Sequence, residues 1–591
     1  MTNFGVSHFR TFVSAVVGDG RCEGDTTIRG IEMLALTGIV NKVSPLSPEI
    51  TTEHEQGPAT ITVKETGKET GVARETENVG SSKKITFEEN DKLYRPKVFD
   101  AWAMGMTTVL GGTYYGWNAG FEAGFGSYAI AQVLIGLSFI VLIFALAEIV
   151  SSTSFSGGAY GMARVMLGFY PGFLMATFEL TEYLTYTGAS FQYVASFLCE
   201  KLAWSDHFQP LVAFVCYMVS AFFLLEGDKW YWSFSGLLGV YCVFGILFFC
   251  FGSLGYTNFA ENASLGESSV ESSSSNWFHG GMPLFLQVLP LTTWGFGGIE
   301  SGALVTDLIY QPRKNLSRGL ALGVISLFVL MVFTMFVAAS LRPGLSSVRY
   351  ADDESSLVHN EIFMSFGFSR MGLGGDFADW IMFPAQIGMA FGFMLPSAKL
   401  FHAMSCSKLV PSVLGGENQH LCFAYTIPLS FGMCLIAMYY PGFDITNIPI
   451  FFASITYLSD LYAYYQMQTD FASMERMFKS PFGTVPVLMS AMMFGLVIVS
   501  LLGFQDSLFI LYFAVGYVTV LSLYYFLYAK SRQIFSEEEQ KTLLTLHVLR
   551  MNRAKRAAAL MRRKSQGKRS SQVGRPSALS SRASGQSAVS Q

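Results

Sequence analysis

The sequence predicts an all-α membrane protein with about twelve transmembrane helices, and three observations lead there. Half the chain is hydrophobic (51%) and only 14% is charged, against roughly a quarter charged in a soluble domain. Of 39 Lys and Arg, 12 precede residue 98 and 14 follow residue 529, which leaves 13 for the long middle. That middle divides into apolar stretches long enough to cross a hydrocarbon core about 30 Å thick, which takes roughly 20 helical residues each. A water-soluble globule is excluded, and a net charge of -4 argues against a nucleic-acid partner.

Taken in order, the spans fall near 101–123, 127–150, 171–198, 209–225, 230–252, 284–308, 319–340, 377–398, 421–440, 448–467, 485–504 and 507–529. With these limits all 13 cations of the middle lie in loops or at span edges, as expected when a charge at the bilayer centre costs about 3 kcal/mol. Residues 1–98, rich in Thr, Glu, Gly and Ser, read as a disordered cytoplasmic tail. The stretch from Thr11 to Val17 is too weakly apolar for a signal peptide, so the first span serves as its own signal. Residues 99–530 form the membrane domain and residues 531–591 a basic cytoplasmic tail.

Loop charge sets the orientation. With both termini cytoplasmic, inside loops hold Arg164, Lys229, Arg313, Lys314, Arg318, Lys399, Lys408, Arg476 and Lys479, and outside loops hold Lys201, Arg342, Arg349 and Arg370. The outside loop at 253–283 has no Lys or Arg and carries the sequon Asn262-Ala263-Ser264, which makes Asn262 a glycosylation candidate. The plasma membrane is the expected location. The eight cysteines show no C-x-x-C pairing, so no metal, cofactor or disulfide framework is expected.

Glycine interrupts two spans near their middle. The first reads Gly111-Gly112-Thr113-Tyr114-Tyr115-Gly116-Trp117-Asn118 and the sixth Trp294-Gly295-Phe296-Gly297-Gly298-Ile299-Glu300. Backbone groups freed by such breaks cannot stay unpaired in lipid and must meet protein, water or a ligand. For either span alone, close helix packing or a kink is the rival explanation of the glycines. Breaks in spans one and six together mark two five-span units, about 101–252 and 284–467, with extra helices at 485–529. An odd unit length inverts the second copy, as in secondary transporters that hold a solute between half-helices at mid-membrane. Half-helix ends offer N–H groups to a carboxylate or hydroxyl and carbonyls to an ammonium.

Intramembrane acids are costly and are retained mainly when paired or functional. The candidates are Glu122, Glu148, Glu179, Glu182, Glu300, Asp307 and Asp460. Glu300 follows the second break by two residues, whereas Glu148 and Asp307 lie near span ends, where capping or loop contacts explain them. The expected solute site comprises Gly112, Tyr115, Gly116, Trp117 and Asn118 on one side and Trp294, Phe296, Gly297, Gly298 and Glu300 on the other, with Tyr457 added. Glu182 and Glu300 are the candidates for coupling to a proton; a sodium ion is the other possible coupling ion. No H-E-x-x-H, Ser-His pair or metal cluster appears in the spans, so no enzyme is expected.

At these residues the chain resembles the amino acid-polyamine-organocation superfamily, and within it the ethanolamine permease group. The first break is similar to that group's S-G-D-F-F-G-W-N. Leu146-Ala147-Glu148 with Gly157-Gly158-Ala159-Tyr160-Gly161-Met162-Ala163-Arg164 resembles A-E-L followed by G-G-x-Y-x-x-A-R. Glu182-Tyr183 matches an E-Y in span three, and Leu289-Pro290, Trp294, Phe296, Ile299-Glu300 and Pro312 match the sixth-span pattern. Lys399-Leu400-Phe401-His402-Ala403-Met404 with Leu409-Val410-Pro411 resembles the R-x-x-x-A-M/L-A-R and L-P after span eight. The likeness covers about 95–530. It implies a LeuT-like fold, a 5+5 inverted repeat plus two helices, that moves a small amine-bearing solute such as ethanolamine by alternating access. Amino acid members place a substrate carboxylate on a G-S-G where this chain has Gly116-Trp117-Asn118, which leans the reading towards an amino alcohol, although the group's aspartate is Thr113 here. A neutral or cationic α-amino acid permease of the same fold is the rival reading, and a non-transporting nutrient receptor a further one.

Overall fold

The computed structural model describes residues 94–573 apart from 115–116, 154–156, 226–227, 266–276, 346–360, 375, 415–418, 441 and 506. Most of the tail read at 1–98, together with Tyr115 and Gly116, therefore lies outside the described residues. The described chain is helical throughout, without a β-strand among the described residues. The long helices are α1 (Val98–Val109), α2 (Phe125–Ser152), α3 (Gly158–Leu167), α4 (Phe169–Lys201), α5 (Gln209–Leu225), α6 (Asp228–Ser253), α7 (Gly281–Trp294) and α8 (Pro312–Ala339). They continue with α9 (Glu361–Arg370), α10 (Asp376–Cys406), α11 (Gln419–Tyr439), α12 (Asn447–Thr469), α13 (Thr484–Gly503), α14 (Phe509–Tyr524) and α15 (Glu537–Val573).

Local chemistry sets the ends. Gly168, at φ 104°, turns α3 into α4 without a connecting loop, a conformation that favours glycine. Pro312 opens α8 at its first turn, where the missing N–H costs nothing. Two elements differ from the sequence reading: α3 is a buried ten-residue helix where a loop was expected, and the basic tail contains the 37-residue α15.

Eight helical segments are long and apolar enough to cross a membrane: those centred on α2, α5, α6, α8, α10, α11, α13 and α14. The expected spans one, three, six and ten fall outside that group. Spans one and six are broken, and α4 and α12 carry Glu179, Glu182 and Asp460 within their length. A polar or interrupted helix in lipid requires shelter by its neighbours. The packing supplies it: α4 is flanked by α10, α11 and α12, and α2 lies along α8. Each contact of α2 with α8, α4 with α10 and α5 with α11 joins a span to the one five places later.

Candidate functional site

The first span stops being a regular α-helix after Val109, continues as a single turn from Gly111 to Tyr114, and resumes beyond the undescribed pair as a 3-10 turn at Asn118–Ala123. The sixth span ends at Trp294, where the Phe296 and Gly297 amides both donate to the Thr293 carbonyl, at 3.1 and 2.9 Å. Gly298 then takes φ 100°, and a 3-10 turn runs from Ile299 to Val305. A Cβ on Gly298 would stand 2.3 Å from the Phe393 ring, so both backbone and space demand glycine.

The two breaks are neighbours. A Cβ added to Gly112 would lie 3.0 Å from Trp294 Cδ1 and 3.2 Å from the Trp294 carbonyl oxygen. Gly111 sits as closely on α10, with the Ala385 carbonyl 2.9 Å from the corresponding position. On the other side of the second break, the Gly297 position faces the hydroxyls of Tyr186 (3.1 Å) and Tyr457 (3.5 Å).

Carboxylates gather here. Glu300 Oε2 accepts from the Gly298 amide at 3.0 Å, and Glu182 Oε1 accepts from the Tyr457 hydroxyl at 3.1 Å. One turn earlier on α4, Glu179 Oε1 accepts from Tyr183 at 2.9 Å. Glu182, Glu300 and Tyr457 interact electrostatically with one another, and Asp460 with Glu179 and Glu300. All four acids are buried, and among the described residues none has a cationic side chain as partner. Among the described residues, Glu179 Oε2, Glu182 Oε2 and Glu300 Oε1 are buried without a hydrogen bond. Among the described residues no group of three or more His, Cys, Asp or Glu is arranged to hold a metal ion.

Aromatic rings complete the surroundings. Tyr186 meets Trp294 edge-on at 5.2 Å and stacks on Phe393 at 5.0 Å, which in turn stacks on Tyr183 at 5.7 Å. Gly112, Trp294, Gly297, Gly298, Glu300, Glu182 and Tyr457 thus come together. Phe296 points away, stacking on Phe139 at 5.3 Å, and Phe139 backs the Tyr457 ring at the same separation. Trp117 packs with Phe121 and Tyr128 at 5.5 and 6.4 Å, and Asn118 opens the adjacent 3-10 turn. The Asn262 amide is buried and donates to the Ser340 carbonyl at 2.8 Å, so glycosylation there requires that bond to open.

The order of these features matches a known family. The amino acid permease family model matches residues 97–526. The chain belongs to the amino acid permease family, within the amino acid-polyamine-organocation superfamily. It is also 23% identical over 249 residues to an uncharacterized transporter of Rhizobium meliloti (strain 1021), a match that covers 41% of this chain and 52% of the relative. The chain thus spans about half the length of that curated relative. Within this permease, Tyr186 and Phe393 are the site residues that sequence reasoning missed. Tyr186 was within reach, because it lies four residues after Glu182 on one face of α4. Phe393 had no signal, being one Phe among 53.

Proposed function

We propose that this permease is a secondary carrier that moves a small amine-bearing solute, such as ethanolamine or an amino acid, by alternating access at the paired breaks. One observation carries the reading: buried carboxylates surround two adjacent helix breaks with no cationic side chain among them in the described residues. Uncompensated buried charge is costly, and an ammonium between Glu300 and Glu182 supplies the missing donors. The faces of Trp294 and Tyr186 suit the same cation. A helix end at the first break would suit a hydroxyl or carboxylate at the other end of the solute. A proton exchanged between Glu182 and Glu300 beside the Tyr457 hydroxyl is the coupling route we favour over sodium.

We place the protein in the plasma membrane with both termini cytoplasmic, on the asymmetry of loop charge. The ion pairs support this sorting. Arg164 and the loop at Asp470 both meet the C-terminal segment on one face, while Lys201 pairs with Asp379 and Arg342 with Glu261 at span ends and connections assigned to the other.

An α-amino acid substrate is the second reading, favoured by the family description. A panel of radiolabelled ethanolamine and neutral and cationic amino acids, taken up into proteoliposomes under imposed proton or sodium gradients, tests both. Concentrative uptake of ethanolamine driven by the proton gradient is the expected result. Selective amino acid uptake moves the substrate to the rival class, and saturable binding without flux leaves a receptor.

A further inference from the structure

Three connections meet on the face of the bundle that carries the C-terminal segment. α3 joins the second and third spans, Ser407 follows α10, and residues 533–536 lead from the last span into α15. Glu539 ties them together. Its carboxylate accepts from the Arg164 guanidinium at 2.8 and 3.0 Å and from the Ser407 hydroxyl at 3.2 Å, and both charged side chains are fully buried. Arg164 donates further to the Tyr160 hydroxyl at 2.9 Å and the Ile534 carbonyl at 3.1 Å, and Tyr160 donates to the Ser407 hydroxyl at 2.8 Å. The Ile534 amide donates to the Ser407 carbonyl at 3.1 Å. The rings of Phe169 and Phe535, 4.6 Å apart, cover the guanidinium at 5.2 and 5.3 Å.

This lock reaches the solute site through α3. At Gly158, the first residue of α3, φ is 53°, and a Cβ would stand 2.8 Å from Leu304 Cδ2 and 3.7 Å from the Ala303 carbonyl carbon. Both neighbours belong to the 3-10 turn Ile299–Val305, which holds Glu300 at its start. Six residues along the same helix, Arg164 meets Glu539. Direct contact therefore runs from the turn at Glu300 through α3 to the C-terminal segment.

Alternating access moves one part of the bundle against another around a fixed site, so opening towards this face displaces the sixth-span turn from its neighbours. α3 is one of those neighbours, and Glu539 holds α3. Residues 533–539 follow the last span, so the lock is made by an element added to the spans. A buried ion pair contributes little stability over an apolar contact of the same size, because both charges recover hydration when it opens. Such a joint can release and reclose. We propose that residues 534–539 are a latch: with Glu539 seated, α3 pins the sixth-span turn and the site stays shut towards this face, and each opening requires Glu539 to leave Arg164 and Ser407. The latch presupposes the carrier proposed for the paired breaks.

Hydrogen–deuterium exchange of the full chain in nanodiscs, unaltered and as Glu539→Gln, tests it without any solute and so stands apart from the transport reading. Exchange at least about tenfold faster in α3 and in the turn Ile299–Val305 is expected, with α7, the half of the sixth span beyond the break, unchanged. No change, or faster exchange confined to residues 534–573, would overturn the proposal, since α15 would then be docked without holding anything. So would a uniform rise through all spans, the mark of a merely structural pair. A second variant, Phe169→Cys with Phe535→Cys, serves if Glu539→Gln does not fold. Joined by a short bis-methanethiosulfonate, it should exchange in Ile299–Val305 about tenfold more slowly than after reduction with dithiothreitol. Uptake of radiolabelled ethanolamine into proteoliposomes should stop on joining and return on reduction, and full-rate uptake by the joined protein contradicts the latch.

Discussion

Glu148 and Glu300 are both buried carboxylates in one helical bundle, yet their surroundings are opposite. At the end of α2, Glu148 pairs with Arg476 at 2.5 Å and accepts from Tyr464 and the Ser480 amide, each at 2.8 Å. Asp307, likewise near a span end, pairs with Lys399 at 2.7 Å. At the centre, Glu300 accepts from the Gly298 amide, and its Oε1 has no hydrogen bond among the described residues. Acids at the rim are neutralised by the chain itself. Those at the breaks have no cationic partner among the described residues, and this is the contrast on which the proposed carrier role rests.

Exchanging the acids one at a time breaks or sharpens that contrast. Glu300→Gln should give the largest functional effect, a loss of amine uptake of about a hundredfold or more with unchanged thermal stability, because it removes a charge that no cationic side chain among the described residues answers. Glu148→Ala should do the reverse. It strands Arg476 and costs about 3 kcal/mol or more of stability, seen as a lowered Tm and reduced yield of folded protein, while the protein that survives still transports. Gly298→Ala combines an unfavourable φ with an overlap at Phe393 and should cost about 2 kcal/mol, measured as a fall in Tm with uptake lost in parallel. Trp294→Leu removes a cation–π face worth about 1 kcal/mol, so the KM for an amine should rise about fivefold with stability little changed.

The fold was legible because lipid leaves few options: apolar length, edge charge and mid-span glycine each map onto one structural consequence. The site was legible where chemistry is local. Glu300, Gly298 and Trp294 lie within seven residues of one another, and their pattern announces a break. Trp117 looked equivalent on the other break, but its ring turns to Phe121 and Tyr128, a choice made by packing across helices. Tyr186 and Phe393 meet Trp294 from α4 and α10, and no short-range pattern links the three. The Arg164–Glu539 lock, 375 residues apart in sequence, was unreadable for the same reason.

The measurement that bears most directly on the central claim is equilibrium binding of a radiolabelled transported amine to the purified permease and to its Glu300→Gln variant, with the deaminated analogue as competitor. Saturable binding to the unaltered protein, weakened at least about tenfold in the variant and resisted by the analogue, is the predicted result. Full-affinity binding to the variant, or equal competition by the analogue, would contradict the assignment of the unpaired carboxylates to a cationic solute.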